Sequence, residues 1–432
     1  MEKDALRAIL SATPSVRAIG RVRAVTGLSL RFTMPGVRVG DVVFVRRRGE
    51  PLMCQVVGFL EGEAVAMPLG DLAGVGPDDE VESTGGPLSI TVSRALLGRV
   101  VDGLGRPIDG GSPIVGGEAV PVDRAPPAAL SRPAIDAPLV TGVRVLDALM
   151  TLGEGQRVGL FAGSGVGKST LLGAIARGVA ADVVVVGLVG ERGREVVEFL
   201  EHALGPEGRK KSVVVVATSD APALERLRAA EAATAIAEYF RDDGAKVMLL
   251  VDSITRTARA QREIGLAAGE PPTRRGYPPS VFAMLPRLLE RSGRAARGSI
   301  TAIYTVLVEG GDMDEPIADE VRGILDGHVV LDRALAGRGR YPAVDAVASL
   351  SRVMETVVSP EHRDAARRLR TLLAAYESKR DLITLGAYAK GSDRTVDDAL
   401  ARLPRIEEFL AQDPKRPNAF GDTLDALTRL VR

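Results

Sequence analysis

Residues 163–170 read GSGVGKST, with three glycines, a lysine and three hydroxyls packed between an apolar run (RVGLFA) and a helical one (LLGAIARG). Gly163, Gly165 and Gly167 let backbone amides turn inward, and inward amides beside one cation suit phosphate oxygens. On this reading Gly163, Ser164, Gly165, Val166, Gly167, Lys168, Ser169 and Thr170 form the phosphate loop. Lys168 reaches the β and γ phosphates, and Ser169 offers its hydroxyl to Mg²⁺. The helix opening at Gly167 aims its positive end at the anion. The strict pattern places a glycine where this chain has Ala162. That position shapes the turn rather than touching phosphate. Asp252 closes the apolar run VMLLVD, where it can help hold Mg²⁺ or cap the helix that begins DSIT. Glu191 ends another run in GLVGERGREVVEF. A carboxylate there can polarise an attacking water, or it can serve as a charge at a helix start. Arg192 and Arg194 follow it. The three histidines, His202, His328 and His362, and the single Cys54 are too scattered for a zinc site.

These groups need a scaffold that brings strand ends together. Apolar runs at 157–163, 182–191, 212–219, 246–253 and 299–310 alternate with helical stretches such as 223–240. Unbroken Val/Leu strands between helices predict a parallel sheet covered on both faces, with ligands at its carboxyl ends. The expected fold is α/β, a phosphate-loop core over 93–345 whose first part, 93–135, is a loop-rich connection. Before it, residues 21–92 carry short β-rich runs cut by glycines, the pattern of a small barrel or sandwich. After it, 346–432 lacks strand runs and carries helical spacing. Residues 1–20 predict an amphipathic helix, with Leu6, Ile9 and Leu10 on one face, suited to docking a partner.

Composition narrows the function. Lys+Arg and Asp+Glu are both 56, so the balanced charge argues against wrapping nucleic acid. Aromatics at 3% leave little for base-stacking platforms. A single cysteine fits a reducing cytoplasm. The first residues lack the apolar core of a signal peptide, and no apolar stretch approaches a bilayer span, so any membrane association is expected to be peripheral.

The segments GERGREVVEFLEH, LFAGSGVGKST, VVVVATSDAPALERLRAA, GEPPTRRGYPPSVFAMLPRLLERSG and ADEVRGILDGHVVLDR resemble the export ATPases of bacterial flagella and type III secretion systems. These are relatives of the catalytic subunit of rotary ATP synthases. The resemblance runs from about residue 18 to 412, and the tail DLITLGAYAKGSD is nearer the flagellar branch. It implies a RecA-like core that binds ATP with Mg²⁺ at the interfaces of a homohexamer. It implies that Glu191 is the catalytic glutamate, with Arg192 beside it among the catalytic residues. Arg352, in AVASLSRVM, resembles the arginine finger given to a neighbouring subunit. Tyr341, in RGRYPAVD, resembles the aromatic that stacks on adenine. The partners implied are a regulator at the amino-terminal helix, a central stalk protein, an export gate and chaperone–cargo complexes at the inner membrane face. A rotary-ATPase ring subunit and a hexameric RNA translocase are the alternatives. Glu191 argues against a non-catalytic subunit, and the neutral charge argues against the translocase.

Overall fold

A computed structural model of the chain describes residues 18–432. The docking helix expected over 1–20, with Leu6, Ile9 and Leu10, therefore lies almost wholly outside the described residues. Six strands come first: β1 (Ile19–Thr26), β2 (Ser29–Thr33), β3 (Asp41–Arg46), β4 (Leu52–Leu60), β5 (Glu63–Pro68) and β6 (Glu80–Pro87). They close in the order β1-β2-β5-β4-β3-β6, which leaves no free edge. Leu30, Phe32, Val43, Val45, Cys54 and Val56 fill the interior. The next strand, Ser89–Val92, is not part of this barrel and pairs with Glu118–Pro121.

The central sheet contains β7 (Val100–Asp102), β8 (Arg157–Ala162), β9 (Val183–Glu191), β10 (Ser212–Thr218), β11 (Lys246–Asp252), β12 (Ser299–Leu307), β13 (Gly327–Leu331) and β14 (Val344–Ser351). Their order is β14-β13-β8-β12-β11-β9-β10-β7, with the short strand Gly293–Arg294 antiparallel to β12. The long strands are parallel, and β14 runs antiparallel at one edge. All nine residues of β9 are buried. Val183, Val185 and Val189 face one core, while Val184, Val186 and Leu188 face the other. A strand buried on both sides has no polar side to show, hence the unbroken valine run.

Helix α1 (Lys168–Gly178) covers one face, and α2 (Ala223–Asp242) and α3 (Ile254–Ala267) cover the other. Alanines 229, 230, 232, 233, 235 and 237 of α2 are buried. Their small side chains bring the helix close enough that a Cβ on Gly187 would lie 3.1 Å from Ala233. At the other end α4 (Pro360–Thr384), α5 (Arg394–Leu410) and α6 (Phe420–Val431) lay Leu369, Leu372, Ile406, Phe409 and Leu427 into the same apolar layer as Leu171, Leu172 and Ile175 of α1. The carboxyl-terminal helices thus continue the core of the phosphate-loop helix.

Two expectations need correction. Region 346–432 does carry a strand, because β14 runs to Ser351. Its sequence, VDAVASLS, alternates buried and exposed positions as edge strands do, so no apolar run advertises it. Its outer edge is blunted: Arg370 of α4 donates to the carbonyls of Val347 (3.3 Å) and Ser349 (2.8 Å), and Asp345 accepts from the amides of Val347 and Ala348. The region 93–135 is also not only loop, since β7 forms the far edge of the sheet beside β10.

Candidate active site

Lys168, Glu191 and Asp252 meet at the carboxyl ends of the sheet. Gly167 starts α1 at φ 88°, a left-handed conformation open to glycine, and this aims the first turn and Lys168 across the strand ends. The lysine reaches over β12 to β11, two strand spacings or about 10 Å away. Its ammonium pairs with the Asp252 carboxylate and stands 3.5 Å from Oε1 of Glu191. Asp252 also accepts from the Thr305 hydroxyl at 2.7 Å. Both carboxylates are buried.

Neither carboxylate serves as a helix cap. Asp252 does not cap α3; Ser253 does, accepting from the amide of Arg256. Glu191 makes no cap either, and the helix after it begins from Arg192 without a side-chain cap bond. Burial pushes the Glu191 carboxyl up to about 7, a hydrogen bond with Glu195 pushes the same way, and the Lys168 cation pulls it down. Glu195, on the accepting side of that bond, is held below the usual carboxylate range.

Three residues not singled out by sequence complete the cluster. The Arg256 guanidinium lies 3.6 Å from Glu191 Oε1 and packs on Gly190, where a Cβ would stand 2.8 Å from Arg256 Cδ. Thr305 holds Asp252, and Glu195 holds Glu191. Of the three, Glu195 had a signal in spacing: it follows Glu191 by four residues, and the turn that opens at Arg192 brings it back to that carboxylate.

The remaining predicted residues divide into those beside the cluster and one far from it. Gly163, Ser164, Gly165, Val166 and Gly167 form the turn, with Val166 buried and Arg333 donating to the Ser164 carbonyl at 3.4 Å. Ser169 and Thr170 are exposed on the first turn of α1. The Tyr341 ring stands over that turn, 3.3 Å from where a Cβ on Gly167 would be, and is 43% exposed. Arg192 is exposed and pairs with Glu195 at 3.4 Å.

Arg352 is not with them. Ala162 is level with Leu331, and Gly327 is level with Ser351. Arg352 therefore leaves the sheet at the amino ends of the parallel strands. From the phosphate-loop end of β8 it is about 15 Å back along the strands and about 10 Å sideways, beyond the reach of its own side chain. Its side chain is exposed.

Seen from outside, the same arrangement recurs. The ATP synthase alpha/beta family nucleotide-binding domain matches residues 142–351, and the T3SS EscN ATPase C-terminal domain matches 358–429. The flagellum-specific ATP synthase of Bacillus subtilis (strain 168) is 51% identical over 100% of this chain and 99% of its own. The type 3 secretion system ATPase of Xanthomonas euvesicatoria is 52% identical over 96% and 94%. The assembled ATPase EscN from the type III secretion system of enteropathogenic E. coli superposes with a TM-score of 0.90 at 45% identity, covering 96% of this chain and 100% of that one. The same ATPase in complex with its central stalk EscO gives 0.88. With full-length identity near one half to both branches, and with lysine loop, strand-end carboxylates and carboxyl-terminal helices in place, this chain is an ATPase and belongs to the family of flagellum-specific ATP synthases and type 3 secretion system ATPases.

Proposed function

We propose that the chain hydrolyses Mg-ATP at the interfaces of a homohexameric ring and that this hydrolysis energises protein export. The observation that carries the shared-site reading is the position of Arg352, which cannot reach its own phosphate loop and whose side chain is exposed at the surface. The loop amides and Lys168 bind the triphosphate, and Tyr341 stacks on adenine. Glu191, as a carboxylate, orients the attacking water and takes its proton as the water oxygen bonds to the γ-phosphorus and the bond from that phosphorus to the bridging oxygen of the departing ADP breaks. Arg192 lies beside Glu191, and the neighbour's Arg352 meets the charge that develops on the γ-phosphate.

Among the described residues no group of three or more His, Cys, Asp or Glu could hold a metal alone. One hydroxyl and one carboxylate, Ser169 and Asp252, suit an ion that takes its other ligands from phosphates and water, as Mg²⁺ does. Bound there, Mg²⁺ would neutralise phosphate charge and orient the chain of phosphates.

No helix of the described residues is long and apolar enough to cross a membrane. Peripheral attachment at the inner membrane face is part of the same proposal. The stalk complex of the EscN relative supports a central stalk partner for this chain, and a regulator at the amino terminus, an export gate and chaperone–cargo complexes complete the expected set.

If sites are shared, specific activity depends on concentration. Phosphate release per chain should climb as mass measurements show rings replacing single chains. Full activity in a solution of single chains would sink the shared-site reading.

Glu191 sets the pH dependence. Its raised pKa means that the native carboxyl takes up a proton as pH falls through about 7. The protonated form cannot accept the water's proton, so kcat/KM should fall on the acid side of an inflection near neutrality. Glu191→Gln should keep Mg-ATP binding and lose both turnover and the inflection. Parallel loss of binding would make Glu191 structural.

A further inference from the structure

The strongest connection left unused lies behind the base platform. Residues 411–419 cross from α5 to α6 and pass between Tyr341 and the segment that leads into β8. Gln412 is the hub of this strap. Its amide donates to the Tyr341 carbonyl at 2.8 Å. Its Oε1 accepts from the Arg144 amide at 2.7 Å. Its Nε2 donates to the carbonyls of Gly142 (2.9 Å) and Arg416 (2.8 Å). The acceptor is engaged and both side-chain donors are used, so this amide has one satisfied orientation and is a poor hinge.

What it grips is itself fixed. Gly142, at φ 76°, has Pro417 so close that a Cβ would meet it at 2.9 Å. Buried Asp147 accepts from the amides of Thr141 and Gly142 and from the Thr141 hydroxyl, at 2.7 to 2.9 Å. Arg177, in the last turn of α1, donates to the Pro414 carbonyl at 2.6 Å. Arg340, next to Tyr341, reaches both oxygens of Glu407 on α5 at 3.3 Å. The strap thus touches the platform at one end of α1 and the helix itself at the other.

We infer that Gln412 is a positioning residue that sets the height of Tyr341 over Gly167 and ties the base site to the carboxyl-terminal helices. A tilt of those helices is then felt first as a change in how well adenine stacks. The chemistry at Glu191, on the far side of the phosphates, is not touched. The inference rests on the reading of Tyr341 as the base platform.

The test is steady-state kinetics on the full chain assembled in rings, with inorganic tripolyphosphate as a competitive inhibitor that reports the phosphate loop without a base. Gln412→Ala should raise KM for ATP about tenfold with kcat changed less than about twofold, and should leave the tripolyphosphate Ki unchanged. Tyr341→Ala should raise KM in the same way. The double variant should be no worse than Tyr341→Ala alone, since Gln412 acts through it. A silent Gln412→Ala beside a raised KM in Tyr341→Ala would overturn this inference and leave the platform intact. So would additive effects, or a tripolyphosphate Ki that rises with KM. A silent Tyr341→Ala would overturn the platform reading and this inference with it. If Gln412→Ala does not fold, Glu407→Gln, on a half-exposed pair, should give a smaller shift of KM in the same direction, and no shift would overturn the inference.

Discussion

Replacing Lys168 with alanine should reduce ATP hydrolysis by at least about 10²–10³-fold, the cost of one preorganised charge at a reacting centre. Two losses combine. The phosphates lose the cation that reaches them, and Glu191 loses the cation that pulls its pKa down. Without Lys168 the Glu191 carboxyl moves further up from about 7, so less of it is ionised at neutral pH. Residual turnover in the variant should therefore reappear preferentially at alkaline pH. The fold should survive, because the lysine is not part of either apolar layer and Asp252 keeps the Thr305 hydroxyl. Some stability is lost, since two buried carboxylates then face each other with Arg256 as the remaining cation beside Glu191 among the described residues. That loss should shrink as pH falls and Glu191 takes its proton. Phosphate release and thermal melting measured on one preparation decide the matter: near-normal turnover in a folded variant would remove Lys168 from the site.

Mixing two inactive proteins should restore activity. An arginine finger contributes about 10³–10⁵ in rate in phosphoryl transfer, so Arg352→Ala alone should be close to silent. In rings mixed with Lys168→Ala, some interfaces pair an intact phosphate loop from the first protein with an intact arginine from the second. Random assembly at equal amounts gives at most about one quarter of the interfaces this pairing, because each head-to-tail contact draws independently from both pools. Activity should appear on mixing, grow with total concentration and fade on dilution. No recovery in rings shown by mass to be mixed would mean that Arg352 does not act across the interface.

The central sheet was legible because burial on both faces forces unbroken apolar runs, and the strand ends found the carboxylates. The β9 valines and the GSGVGKST loop announce themselves locally. Edge elements do not. Three-residue β7 sits among glycines, and β14 looks like a polar segment because one side of it is meant for solvent. Arg256 and Thr305 were silent for a different reason: their roles depend on which strand lies beside which, and strand order is not written in any one segment. Arg352 is the extreme case. Nothing around it in the sequence marks it, and resemblance to a family was the only pointer.

The shared layer beneath α1 bears on inheritance. Leu171, Leu172 and Ile175 pack with Leu369, Phe409 and Leu427 as one surface, although family matching divides the chain between 351 and 358. A descendant that exchanged its last 75 residues for those of a distant cousin would mismatch the floor under its own phosphate loop. The two segments are modules to a sequence comparison and a single unit to natural selection, so a change of volume on one side of the layer invites a compensating change on the other. Drift in the carboxyl-terminal helices is thereby restrained by the demands of nucleotide chemistry.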